Sequence, residues 1–267
     1  MGGATKDGVK NHYAGWRPSA GCAALNRVHI NSITPREFFD AYVAKRRPVV
    51  IEGYLQEDTH AGKLVNWKKD SYLLDKAGDA QVRVEVREST SQGFAARQYT
   101  PMKFRKFMEG FTARNELHYL TTEAVCEDEQ GRLEVISPPV DSLLEDIPLS
   151  PPIMGHQLLA SLNMWMGNSR EGASSGLHHD YHDNLYVLLR GCKRFQMYCP
   201  GDAPKMYTNG ALARVHSNGR INYEGDPTRA DGANPAVMAR VARGQLAAAE
   251  EALDHAEGHP MADTEGG

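Results

Sequence analysis

Ser174-Ser175-Gly176-Leu177-His178-His179-Asp180-Tyr181-His182-Asp183-Asn184-Leu185-Tyr186-Val187, closed by Gly191-Cys192-Lys193-Arg194-Phe195, decides how the whole chain is read. His178 and Asp180 stand two apart, beside a β-branched and aromatic run. Side chains on a strand repeat every two residues, so this imidazole and carboxylate fall on one face. Those two groups and one more histidine make the ligand set of a non-haem Fe(II) centre. A His-x-Asp pair alone is a weak signal. With 11 His and 34 Asp+Glu, about one or two His-x-Asp/Glu pairs arise by chance, and His255-Ala256-Glu257 is another. The setting of His178 and Asp180 strengthens theirs. A small-residue turn precedes the pair and apolar strand patterns flank it. Asn184 and Lys193 follow at spacings that aim an amide and an ammonium into one barrel.

Outward from this block, residues 162–166, 177–180, 184–189 and 194–199 read as strands joined by Gly-rich turns. Upstream, Thr34-Pro35-Arg36-Glu37 starts a helix: Thr caps, Pro takes the first turn, and Glu reaches back. Pro48-Val49-Val50-Ile51-Glu52-Gly53 is a short buried strand. Val82-Arg83-Val84-Glu85-Val86-Arg87 alternates as a half-buried strand should. Thr100-Pro101 opens a second helix bearing Phe104, Phe107 and Met108, and Leu117-His118-Tyr119-Leu120 is a further strand. Downstream, Asn218-Gly219-Arg220 signals a turn, and residues 236–257 read as an Ala-rich, mostly exposed helix. Residues 1–26 form a loose lead-in, 27–257 a single domain, and 258–267 a polar tail. Early helices, then clustered strands, then one helix predict a mainly β core with flanking helices.

A chain of 267 residues can bury a sizeable core. Its net charge of -4 advertises no polyanionic partner. Cys22, Cys126, Cys192 and Cys199 form no Cys-x-x-Cys pair and read as reduced thiols of an intracellular protein. No apolar run approaches the roughly 18 residues of a membrane span, and no signal-peptide pattern opens the chain. Lys6 stands where a myristoylation motif needs Ser or Thr. The expected location is the cytoplasm or nucleus, with no membrane partner.

The block resembles the JmjC/cupin-like Fe(II)- and 2-oxoglutarate-dependent hydroxylases, the group that includes the asparaginyl hydroxylase of hypoxia-inducible factor. Three segments carry the likeness, which covers most of the chain. Arg47-Pro48-Val49-Val50-Ile51 is similar to the family's N-terminal strand entry. Leu162-Asn163-Met164-Trp165-Met166-Gly167 is similar to the strand before the metal. His178-x-Asp180-x-x-x-Asn184 followed by Gly191-x-Lys193-Arg194 matches the metal and cosubstrate signature. The resemblance implies a cupin-like double-stranded β-helix, or jelly roll, and a dioxygenase that uses Fe(II) with 2-oxoglutarate as cosubstrate. His178 and Asp180 would hold the iron. Lys193 would pair with the distal carboxylate of 2-oxoglutarate, helped by Ser175, Asn184 and Tyr119. The substrate would be a protein side chain, hydroxylated or demethylated through hydroxylation, with histone or tRNA as alternatives. Plainer readings stand beside these. Lys193 alone reads as an edge-strand lysine, His179 and His182 as cover or backbone partners, Trp16, Trp67 and Trp165 as core, and His118 and His156 as satisfied, non-ligand histidines.

The third ligand is the difficulty. After Lys193 come His216, in a short strand-turn close to the first pair, His255, in the Ala-rich helix, and His259, followed by Pro260. None has the setting of the family's distal histidine. The expectation is a jelly roll that lacks its last strands, from a truncated product or an incompletely read gene. The alternatives are a displaced ligand, His255 or His259, and a cupin-like binding module with impaired catalysis. A metal-binding cupin of the isomerase or storage kind would not need Lys193.

Overall fold

The computed structural model describes residues 9–19, 24–56, 61–90, 99–122, 135–170, 172–180 and 182–257. Cys22, Cys126, His259 and the tail 258–267 lie outside the described residues. The elements in chain order are β1 (Lys10–Asn11), β2 (Asn26–His29), α1 (Pro35–Phe38), β3 (Val49–Glu52), α2 (Asp70–Ala77), β4 (Gln81–Val86), β5 (Tyr99–Lys103), α3 (Phe104–Thr112), β6 (His118–Thr121), β7 (Trp165–Gly167), β8 (Leu212–Val215), β9 (Ile221–Tyr223) and α4 (Pro235–Glu257).

Local chemistry accounts for the first half. At α1 the Thr34 hydroxyl accepts the Glu37 N–H, the Glu37 carboxylate accepts the Thr34 N–H, and Pro35 occupies the first turn, which is the expected capping box. The β4 alternation places Val82 and Val84 inward, and both are buried. β4 pairs antiparallel with β5 and with β6, and β6 pairs with β7, giving a four-stranded sheet of order β5-β4-β6-β7. α3 lays Phe104, Phe107 and Met108, all buried, on one face of this sheet. Leu120, Val140 and Leu143 complete that core. Thr100 and Pro101 belong to β5 rather than to a helix start, so α3 begins at Phe104. Trp67 is core as expected; its indole N–H donates to the buried Asp146, 2.9 Å away.

A second cluster of buried residues packs around β1, β8 and β9. β1 runs parallel to β8, which pairs antiparallel with β9. Tyr13, Cys199, Leu212, Val215 and Ile221 pack there. Part of the segment read as a loose lead-in is thus pinned, through Lys10, Asn11 and Tyr13. α4 spans 23 residues and leaves Met238, Leu246 and Leu253 exposed.

The strands expected around the candidate site need correction. Of residues 162–166, only the end joins β7, while Leu162 makes an isolated bridge to Ile136. Residues 177–180, 184–189 and 194–199 form no strand. The described strands make sheets of three, two and four strands, not a closed jelly roll. The period-two pattern survives in the side chains. Leu185, Val187 and Leu189 are half-buried while Asn184, Tyr186, Leu188 and Arg190 are exposed. What is missing is a partner: among the described residues no backbone–backbone hydrogen bond reaches residues 184–198. Alternation needs only one covered face, whereas a strand needs a neighbour for its N–H and C=O groups.

Candidate functional site

Three contacts pin the stretch between β7 and β8. The half-buried His179 packs on Tyr223, ring centroids 5.9 Å apart, and its ring bonds the Ile221 backbone. Burial pushes the His179 pKa down. Its backbone-bonding, covering role is the one expected. Arg46 holds Asp183 at 2.5 Å. Arg190 meets Asp70 at 2.7 Å and the Lys68 carbonyl at 3.0 Å. Left-handed glycines, Gly176 at φ 73° and Gly191 at φ 87°, turn the chain before His178 and before Lys193, a conformation that costs glycine little.

Between these anchors His178 and Asp180 come together. His178 Nε2 lies 3.9 Å from Asp180 Oδ1. His178 Nδ1 is 3.0 Å from the Gly176 carbonyl, so this nitrogen carries the proton and donates, leaving the Nε2 lone pair toward Asp180. The Asn184 amide donates to Asp180 Oδ2 at 2.8 Å. Each first ligand candidate therefore has an outer partner that fixes its orientation, as metal-binding histidines and carboxylates usually do. This donor set fits two positions of a hard or borderline divalent ion. Among the described residues no group of three His, Cys, Asp or Glu could hold a metal. The His216 ring is committed to Asn222, 2.7 Å away, and His255 rides on α4.

The other candidates are scattered around the pair rather than closed upon it. Lys193 is exposed, its ammonium 5.9 Å from the Phe195 ring centroid. Ser175 is exposed too, and neither bonds His178 or Asp180. Tyr119 sits on β6, half-buried, opposite Gly167 of β7. A Cβ on Gly167 would lie 2.7 Å from the Tyr119 ring, so glycine there is what lets the ring lie across β7. One enclosed cavity is the expectation. Instead the His178 and Asp180 side chains are each 58% exposed, because the run 184–198 has no paired neighbour to form a wall.

An aromatic row links these parts. Trp165 stacks on Tyr186 at 6.0 Å, and Tyr186 meets Phe195 edge-on at 4.9 Å. Trp165 is 38% exposed, so it is a platform beside the site rather than core. Tyr186 and Phe195 are absent from the sequence-derived candidates. Their signal is the same period of two, since Tyr186 follows Asn184 and Phe195 follows Lys193 at that spacing. His118 differs from its satisfied reading: its Nδ1 is buried without a partner among the described residues, and burial lowers its pKa.

The model of the cupin-like domain family matches residues 35–258. The chain belongs to this cupin-like, JmjC-type family. It is 36% identical over 232 residues to JmjC domain-containing protein 4 of Schizosaccharomyces pombe, covering 82% of this chain and 48% of that one. It is 26% identical over 183 residues to the human bifunctional peptidase and (3S)-lysyl hydroxylase JMJD7, covering 64% and 53%. It is 24% identical over 216 residues to tRNA wybutosine-synthesizing protein 5 of Gallus gallus, covering 76% and 64%. The cupin-like chain spans about half the length of the first two. Among the described residues no helix is long and apolar enough to cross a membrane.

Proposed function

We propose that this cupin-like chain provides the metal and cosubstrate residues of an Fe(II)- and 2-oxoglutarate-dependent dioxygenase. The activity would be hydroxylation, or demethylation through hydroxylation, of a protein side chain, with tRNA or histone as the other substrate classes. It would take place in the cytoplasm or nucleus. The observation that carries this reading is the His178–Asp180 pair with both outer partners in place. The Gly176 carbonyl sets the imidazole tautomer, and Asn184 holds the carboxylate oxygen turned away from the histidine. Bound Fe(II) would supply the activation of O2, coupled to decarboxylation of 2-oxoglutarate. The chain's own part is to orient. Lys193 supplies a cation for the distal carboxylate, Ser175 and Asn184 supply donors, and the Trp165–Tyr186–Phe195 row supplies an apolar platform. We further propose that the run 184–198 becomes a paired strand of a jelly roll in the catalytically complete form, bringing Lys193 toward the metal.

The openness of the pair favours one other reading, a cupin-like binding module with impaired catalysis. Succinate release with Fe(II), ascorbate and 2-oxoglutarate separates the two. His178-dependent turnover supports the dioxygenase. Metal binding without turnover supports the module, and absence of metal binding removes both.

A further inference from the structure

Away from the iron-site candidates, arginines from separate segments meet in a surface pocket of about 370 Å³, within the range of ligand sites. Arg114 follows α3, Arg170 follows β7, and Arg190 ends the alternating run. Two of them are already paired. Arg190 holds Asp70 at 2.7 Å and Arg170 holds Glu116 at 3.2 Å. Those pairs cancel in charge. Arg114 makes no side-chain hydrogen bond or ion pair among the described residues, and the Ser169 hydroxyl beside it makes none. The pocket is left with one uncompensated positive charge and a free hydroxyl donor.

The backbone singles out the same arginine. Arg114 has φ 59°, the left-handed conformation that glycine favours after a helix. Its N–H donates to the Phe111 carbonyl at 3.0 Å, and the Asn115 N–H to the Gly110 carbonyl at 2.9 Å. This is the Schellman closure, where glycine is the usual residue. A side chain is carried here against a steric cost. A cation near a helix C-terminus does complement the helix dipole, but that role needs no left-handed residue.

We propose that this pocket binds a phosphodiester of a single-stranded or looped RNA, with Arg114 as its main contact. One free positive charge matches the single charge of a phosphodiester. A planar carboxylate is satisfied by one guanidinium fork, and the two carboxylates present already have theirs. A tetrahedral phosphate directs oxygens to several donors at once, which Arg114, Ser169 and the outer N–H groups of Arg170 can meet. The Arg190 guanidinium lies 4.9 Å from the Phe111 ring centroid and its side chain is 40% exposed. It offers the planar cation on which an unstacked base can stack. With a chain charge of -4, the attraction is local rather than long-range. The proposal rests on the dioxygenase reading only in taking RNA, one of its other substrate classes, in place of the protein side chain put first there; the binding itself requires neither metal nor cosubstrate.

The test is fluorescence anisotropy of the metal-free 267-residue protein with a labelled RNA of roughly twelve nucleotides, across a salt series. Arg114→Gly should weaken binding about tenfold and flatten the salt dependence by about one counterion. Its thermal midpoint should hold or rise, since glycine relieves the left-handed strain. His178→Ala should leave RNA binding unchanged, so failure here and failure of the metal reading are told apart. Absence of RNA binding, or equal binding by Arg114→Gly, overturns the proposal. So does tighter binding of a glutamate-rich peptide of the same length. Inorganic phosphate that binds at Arg114 as tightly as RNA overturns it too, leaving a small-anion site.

Discussion

The proposed ligands His178 and Asp180 are each oriented by a residue outside the proposed ligand set. The proton on His178 Nδ1 is spent on the Gly176 carbonyl, and Asp180 Oδ2 is occupied by the Asn184 amide. Removing an outer partner of this kind usually costs ten- to a hundredfold in metal affinity. Asn184→Ala is therefore expected to weaken Co(II) binding about tenfold, read by visible absorption titration, and unchanged affinity would mean that the amide does not orient Asp180. Lys193→Ala should cost at least about tenfold in 2-oxoglutarate affinity, since a carboxylate would lose its cation. Equal affinity would mark Lys193 as a surface lysine lying on Phe195. His118 gives a pH prediction. Burial lowers its pKa below the ordinary 6.5, so the fold favours the neutral ring. Above 6.5 both states are neutral there. Below it the unfolded chain takes up a proton that the fold resists, so stability falls until the folded pKa is reached and then levels. His118→Phe should flatten that acid-side loss in denaturation midpoints measured from pH 7.5 to 4.5.

Elements differ in how much of them can be read from sequence. The Thr34 capping box and the Val82–Val84 alternation are legible because they are local: each depends on residues three or two apart. The strands expected at 177–180, 184–189 and 194–199 depend on neighbours that no local pattern names. Over 184–190 the alternation is present in the structure and the pairing is not, while 177–180 and 194–199 keep neither. The candidate site divides in the same way. His178, Asp180 and Asn184 lie within one short stretch and come together. Lys193 and Tyr119 belong to other segments, and their approach requires a sheet the local sequence cannot specify. Asp146 shows the same limit inside the core. Nothing near it in sequence predicts that its carboxylate accepts both the Trp67 N–H at 2.9 Å and the Tyr72 hydroxyl at 2.9 Å. These bonds tie the turn around Val140–Asp146 to α2 and to the helical turn before it, and the bond to Asp146 holds the Tyr72 pKa up. Asp146→Ala should lower stability by about 1–3 kcal/mol, because a buried donor is left unmet. Asp146→Asn keeps one acceptor and should lose less, a ranking that urea denaturation can check.

At the scale of the whole molecule, the open face around residues 184–198 decides behaviour in solution. Among the described residues its backbone groups have no backbone partner. Leu188, Phe195, Met197 and Tyr198 are 43%, 55%, 57% and 50% exposed. An extended run that is apolar and unpaired is a template for pairing with another chain. Nothing in the run resembles the charges and prolines that blunt natural edges, apart from Arg190, Lys193 and Arg194. The 267-residue protein is therefore expected to self-associate as its concentration rises, read as a shift in sedimentation velocity. Leu188→Lys combined with Met197→Lys should suppress that shift, since charge on the open face opposes edge-to-edge pairing. The double variant spares Trp67, Phe104 and the rest of the main core, so its circular dichroism should match the parent. A parent that stays monomeric throughout the series would show that the run is covered in solution, and the jelly-roll proposal would then have to find its pairing partner within this chain. Association that survives both lysines would move the contact elsewhere, to the exposed Met238, Leu246 and Leu253 of α4. Truncation after Asp231 would then be the variant that abolishes it.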